Sequence, residues 1–524
     1  MNISLSRILL VGGLFISALP SLIAQNFNIS LLSRLQYNSQ LSACWGYVDK
    51  TGKEYALVGV KNAGISVVDI SAGISVKEVF RSEAVVSTWK EIKTYGNYAY
   101  LVSEGGGGLQ ILDLSGLPEN TNIPVYQFND NGKFATAHTL WIDEDGILYL
   151  WGWNNFAGRR GYLAYDLKAN PINPPLFLEK ITPYMHDGIT YGKRMYLSHI
   201  YDGNFGVYDI SDKRNPILLG TQQTPNNFTH NTWPSVDGNY LFTTDERAGS
   251  YVAAYDVRDP QNIQEVDRIR TQPDGQSIAH NVHVYNNFLV TSYYTEGVVV
   301  HDATDPENLI EVGKYDCSPF SGNGFNGVWE VYPYFPSGRM IASDIEGGLF
   351  VFQPSYRLGC YVHGTVVDQF TGAPIPNAKV EVVNDNSPTF TAGNGSFKTG
   401  TGKPGNTTLK VTAPGYQVGY AHAVPVRNGD TTQVRIELRS LSTGIGGLTQ
   451  DQNLAAPNPF TDRLDFTHQS VTQVRITNSL GQVVFQGEGE LSSLSTAEWP
   501  TGYYVLQYEN AAGQQIQQKL MKVK

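Results

Sequence analysis

GVYDIS, from Gly206 to Ser211, is one of seven closing phrases spaced along this chain. The others are SVVDIS (66–71), QILDLS (110–115), LAYDLK (163–168), AAYDVR (253–258), VVHDAT (299–304) and FVFQPS (350–355). Before each comes a short apolar run, for example YALV (55–58), MYLS (195–198) or FLVT (288–291), and before that a cluster centred on Trp45, Trp89, His138, His186, His230, His280 or Trp329. The units recur on the order of every 45 to 50 residues, the period of a four-stranded propeller blade. Turns rich in Gly and Asp separate the runs, and the closing Asp is placed to cap the turn that follows it. A fourth strand then reads LFLEKI (176–181), ILLGTQ (217–222) or LIEVGKY (309–315). The last unit lacks one after Phe352, whereas ISLLSRLQY (29–37) fits the pattern and precedes the first cluster. The expectation is an all-β chain whose first part, residues 27–356, is a seven-bladed β-propeller closed by pairing chain start with chain end, which removes an open sheet edge.

These repeats resemble LVIVD repeats, and the region as a whole resembles the choice-of-anchor B family of exported bacterial proteins. From about Arg357 the pattern changes. GTVVDQFTGAPIPNAKVEV (364–382), GNGSFKTG (393–400), LKVTAPGYQ (409–417) and TTQVRIELR (431–439) are similar to a carboxypeptidase regulatory-like domain. The resemblance implies a small β-sandwich over residues 357–440, serving as an accessory or spacer module. Residues 441–452 are rich in Gly, Ser and Thr and read as a linker. APNPFTDRLDF (456–466), VRITNSLGQVVFQG (474–487) and the final basic strand are similar to the C-terminal sorting domain of type IX secretion cargo, which implies a second small sandwich over 453–524. It also implies a partner, the type IX machinery, and a place in the medium or on the outer-membrane surface, reached through the periplasm.

The N-terminus agrees with export. Arg7, an apolar core from Ile8 to Ile16, and small residues ending near Ala24 read as a signal peptide over residues 1–24, and no later run is apolar enough to span a membrane. The chain has 524 residues, 37 basic against 48 acidic, a net charge of −11. Nothing in it concentrates Lys and Arg, which excludes nucleic acid as the expected partner. Three cysteines, Cys44, Cys317 and Cys360, are too few for a disulfide scaffold. There is no nucleophile elbow, zinc-protease helix motif or CxxC pair.

Any chemistry should sit where the clusters open their strands. Thirteen or fifteen residues after each cluster residue stands a second aligned position, Val60, Glu104, Trp153, His199, Asp245, Tyr293 and Asp344. The second strand runs antiparallel to the first, so both positions lie at one end of the blade. A ligand-binding rim of His138, His186, His199, His230, His280, Glu104, Asp245 and Asp344 is therefore expected, flanked by Lys90, Asp187, Asn231, Asn281, His283 and Glu330. Imidazoles with carboxylates ligate zinc and similar divalent ions or act as acid–base pairs. His186, His199, His230 and Asp245, from two adjacent blades, form the candidate metal set. The competing expectation ties each His separately to backbone of the neighbouring blade. Two functions follow: an extracellular platform for a protein or glycan, or a metal-dependent hydrolase or lyase using the rim.

Overall fold

The structure is a computed structural model that describes residues 26–154, 161–272, 275–385, 388–441, 455–466, 473–488, 491–509 and 515–524. The leader expected over residues 1–24 and nearly all of the 441–452 linker lie outside these residues. Regular structure is almost wholly antiparallel strand, and none of the described helices is long and apolar enough to cross a membrane.

Within residues 29–354 the strands form seven four-stranded sheets among the described residues. The first six follow chain order, beginning at Leu41–Val48, Lys90–Tyr95, Thr139–Ile142, Asp187–Tyr191, Thr229–Pro234 and Val282–Tyr285. The seventh joins Val328–Tyr332, Met340–Asp344 and Gly348–Pro354 to the chain's first strand, Ile29–Leu35. That strand pairs antiparallel with Gly348–Pro354, from Ile29 opposite Pro354 to Leu35 opposite Leu349. The orphan fourth strand of the last repeat is thus supplied by the chain start.

The repeated sequence explains the repeated geometry. Second strands such as Glu54–Val60 and Phe288–Tyr293 are buried along their whole length, which is why they read as continuous apolar runs rather than alternating ones. The closing Asp caps the next turn, as expected: Asp69, Asp113, Asp209, Asp256 and Asp302 each accept from the amide two residues on, and Asp166 from Ala169. In five sheets the third and fourth strands slip register just before this Asp, at Val67/Val68, Ala164/Tyr165, Val207/Tyr208, Ala254/Tyr255 and Val300/His301, a bulge that sharpens the twist.

Each sheet packs on the next. Lys90 Nζ of the second sheet donates to Val60 O of the first (2.8 Å), and Trp141 Nε1 of the third donates to Thr190 Oγ1 of the fourth (2.9 Å). The seventh also meets the first: Trp45 stands edge-on to Tyr332 at 4.9 Å, and a Cβ on Gly46 would lie 2.1 Å from that tyrosine ring, so only glycine permits the approach.

Among the described residues, one compact unit takes in those from 26 to 367 with 373–412 and 419–437; the other takes in those of 368–372, 413–418 and 438–524. In the first unit the segment after 357 is hydrogen-bonded to the sixth sheet and the turn after its third strand. Asp302 Oδ2 accepts from Gly359 N and from Tyr361 OH, both at 2.7 Å, and Lys398 Nζ reaches Asp305 (3.0 Å) and Glu307 (2.9 Å). A carboxylate buried with its donors satisfied fixes the segment against the sixth sheet. In the second unit, residues 455–523 form two small sheets around Phe460, Leu464, Ile476 and Leu506.

Candidate functional site

The four imidazoles stand in a row. Ring centres of His138 and His186 are 4.2 Å apart, those of His186 and His230 4.3 Å, and those of His230 and His280 4.4 Å. Trp329 continues the row 5.0 Å beyond His280. All four precede or begin a first strand, so one sequence position in consecutive sheets produces one line of side chains.

Three of them are tied to backbone. His186 Nδ1 lies 3.2 Å from His230 O, His230 Nδ1 3.0 Å from His280 O, and His280 Nδ1 bonds Trp329 O. A carbonyl only accepts, so each Nδ1 carries a proton, and in a neutral ring so bonded Nε2 holds the lone pair. His138 differs: its Nδ1 donates to Glu104 Oε1 at 2.7 Å, while Thr139 Oγ1 takes the His186 carbonyl. Burial, then the neighbouring imidazoles, push His186 and His280 well below the usual histidine range, so both are neutral near pH 7.

The second aligned position behaves differently from sheet to sheet. Glu104 joins the row through His138. His199 turns to its own sheet, with Nδ1 2.9 Å from Asn204 Oδ1 and Nε2 3.4 Å from Tyr208 OH. Asp245 caps the preceding loop, accepting from Thr224 Oγ1, Asn226 N (2.7 Å) and Phe228 N (3.1 Å). Asp344 instead caps the turn that follows it, accepting from Glu346 N (3.1 Å) and Gly347 N (2.6 Å), and burial pushes its carboxyl up to about 6. His199 and Asp245 therefore have hydrogen-bonding duties away from the row, and they do not stand as the partners of His186 and His230 that strand register suggested. The carboxylate that does face the row is Glu246, whose oxygens lie 3.9 Å from His230 Nε2 and 3.7 Å from His280 Nε2. Tyr294 OH donates to Glu246 Oε1 at 2.7 Å. Glu246 and Tyr294 each follow an aligned position by one residue, after Asp245 and Tyr293, and Ile345 follows Asp344 and packs in one cluster with Tyr294 and Trp329. The inward position is thus one residue later than strand register alone indicates, and that offset is the signal that would have found Glu246.

The flanking residues form a second polar layer. Asn231 Nδ2 donates to Asp187 (2.7 Å), Asn281 Nδ2 to Glu330 Oε2 (2.8 Å), and His283 Nε2 to Glu330 Oε1 (2.9 Å). Lys93 pairs with Glu91 and sits 4.2 Å over the Trp45 ring. Burial pushes Glu91 up to about 7. Lys90 plays a structural part, donating to the carbonyls of Val60, Lys61 and Ala63, and burial lowers it to about 8. Both layers line a cavity of about 40 Å³, room for a few waters and far too small for a sugar ring. Cys44, Cys317 and Cys360 are free thiols.

Comparison with known proteins matches three family models. The LVIVD repeat matches residues 52–82 and 89–118, the carboxypeptidase regulatory-like domain 361–439, and the secretion system C-terminal sorting domain 455–523. No curated protein matches the chain. Among solved structures, the crystal structure of the computationally designed Ika8 protein is similar at 12% identity over 62% of this chain and 99% of its own, with a TM-score of 0.42, too low to carry an argument. The LVIVD repeats suggest a propeller. The sorting domain implies recognition by the type IX secretion machinery and a location outside the cell or on the outer-membrane surface.

Proposed function

We propose that this chain is an exported binding protein whose seven repeat sheets are the blades of a closed propeller over residues 27–356, of the choice-of-anchor B kind. The accessory sandwich spans 357–440, the linker 441–452 and the sorting domain 453–524, behind a leader of residues 1–24. Closure is supported by the chain-start strand in the seventh sheet and by the contact of that sheet with the first. The observation that carries a binding role is the placement of exposed aromatics. Among the described residues up to 356, Trp89, Tyr201, Phe320 and Phe325 lie in connections at the strand ends that bear the imidazoles, and only Tyr191 lies at the opposite ends. Flat apolar faces around a polar mouth suit a sugar ring or the apolar side chains of a protein partner. The small cavity behind them means that such a ligand lies across the face instead of entering it.

The test is binding of the purified chain to glycan arrays and to proteins of the extracellular milieu, with Trp89→Ala and Tyr201→Ala as variants. The expected result is a ligand whose affinity falls at least about tenfold in one of them, as for a contact residue worth more than about 1.4 kcal/mol. Ligands that tolerate both changes but are lost on altering Tyr191 would place recognition elsewhere. A second reading, a metal-dependent hydrolase or lyase, is favoured by the imidazole–carboxylate group; it requires a turnover activity that a chelator abolishes.

A further inference from the structure

The geometry points to a transition-metal site, zinc in the first instance, made by His230 Nε2, His280 Nε2 and the Glu246 carboxylate. It goes beyond the binding role above and does not depend on what the aromatic face binds.

Three observations carry it. The first is spacing. One ligand atom from each of the three residues lies within 4.8 Å of the others; His230 Nε2 is 3.9 Å from Glu246 Oε2 and His280 Nε2 is 3.7 Å from Oε1. Those separations exceed the 2.7–3.2 Å of an N–H···O bond, so the carboxylate is not hydrogen-bonded to either ring. A tetrahedral ion with bonds of about 2.1 Å holds its ligand atoms about 3.4 Å apart, so the group, whose ligand atoms lie within 4.8 Å of one another, would close by at most about 1.4 Å to seat one. The second is tautomer. Both rings spend Nδ1–H on a backbone carbonyl, of His280 and of Trp329, which turns an Nε2 lone pair toward the carboxylate. An outer hydrogen bond of this kind is what fixes and orients a metal-ligating histidine. The third is the carboxylate's own support. Tyr294, buried, donates to Glu246 Oε1 and holds the side chain on the imidazole side.

The donor set selects the ion. Two imidazoles and one carboxylate suit zinc, cobalt, nickel or copper, whereas calcium and magnesium take oxygen ligands. Three protein ligands leave a tetrahedral ion one position for water or an incoming group. His186 extends the row but lies outside the group of three, and His199 is occupied with Asn204.

The experiment uses the purified, chelator-treated chain titrated with Co²⁺ and then Zn²⁺. One Co²⁺ per chain is expected, with the visible absorption of a tetrahedral centre, displaced by one equivalent of Zn²⁺. His280→Gln and Glu246→Gln should each weaken binding at least about a hundredfold, and Tyr294→Phe, which keeps the ring and loses only the hydroxyl, about tenfold. His199→Gln should leave affinity unchanged. The inference is overturned if the folded wild-type chain takes up no Co²⁺ or Zn²⁺ at tens of micromolar. It is equally overturned if stoichiometric binding survives Glu246→Gln and Tyr294→Phe, or if His199→Gln abolishes it. Should His280→Gln fail to fold, the wild-type spectrum and the tyrosine variant decide.

Discussion

Replacing His301 with leucine should remove much of the protein's sensitivity to mild acid. His301 occupies the position that Tyr165, Tyr208 and Tyr255 fill in the three preceding sheets, one residue before the capping Asp. It is completely buried, and neither ring nitrogen has a hydrogen-bond partner among the described residues. Burial, with the Lys314 charge adding to it, lowers its pKa to about 3. In the unfolded chain it titrates near 6.5, so as pH falls below that value the unfolded state takes up a proton that the folded state refuses. The stability contribution is therefore constant above about pH 6.5, falls between 6.5 and about 3, and falls no further below. Between pH 7.5 and pH 5 the loss is about 2 kcal/mol, from 1.36 kcal/mol per pKa unit over the 1.5 units separating pH 5 from 6.5. Leucine is close in volume, cannot titrate, and leaves no unpaired nitrogen, so His301→Leu should be at least as stable as wild type at pH 7.5. Urea denaturation of both proteins at pH 7.5, 6.5, 5.5 and 5.0, followed by tryptophan fluorescence, measures the difference. If the gap between variant and wild type does not widen toward pH 5, burial of a neutral His301 is not what limits acid stability.

Two further outcomes follow from the same architecture. Ile29→Asp puts a charge among Val298, Val312 and Phe352, at the strand that completes the seventh sheet; a loss of at least about 3 kcal/mol is expected, read as a lower thermal midpoint, and an unchanged midpoint would refute closure by the chain start. Deleting residues 453–524 should hold the protein in the periplasm of its host, read by fractionation and immunoblot; undiminished export would refute the sorting role.

What could be read from the sequence was whatever the backbone imposes on every repeat alike. The Asp ending the third strand had to be there because a tight turn leaves amides unpaired, and Asp209 or Asp256 can be recognised from that need alone. The displaced fourth strand was legible by counting, since seven third strands with six following partners leave an edge that Ile29–Leu35 must fill. The side chains of the site were legible only in part. The clusters gave the row of imidazoles, because one position in successive sheets must form a line. Alignment of the repeats, carried to the end of the second strand, singled out His199 and Asp245. There the second strand ends, strand register no longer sets direction, and the next residue, Glu246 or Tyr294, faces the row. The contact of Gly359 and Tyr361 with Asp302 was equally hidden, because a capping Asp reads the same whether or not its second oxygen serves a segment far along the chain.

The row also shows why a structural tie and a ligand role are not rival explanations for these histidines. The tie uses Nδ1, and a ligand role uses Nε2. A ring bonded to the next sheet's carbonyl is held in one tautomer at one angle, and its free lone pair points where its neighbours' do. Copying the tie through three repeats therefore creates a line of fixed basic nitrogens whether or not any of them is used. What distinguishes one place along the line is the acid beside it. Glu104 meets His138 through Nδ1, at hydrogen-bonding distance, and so consumes the proton-bearing side of that ring. Glu246 meets His230 and His280 through Nε2, at distances too long for a hydrogen bond, with a tyrosine holding it there. The row is thus uneven: at its His138 end a carboxylate hydrogen-bonds Nδ1, and at its His280 end a carboxylate faces two Nε2 atoms from beyond hydrogen-bonding distance.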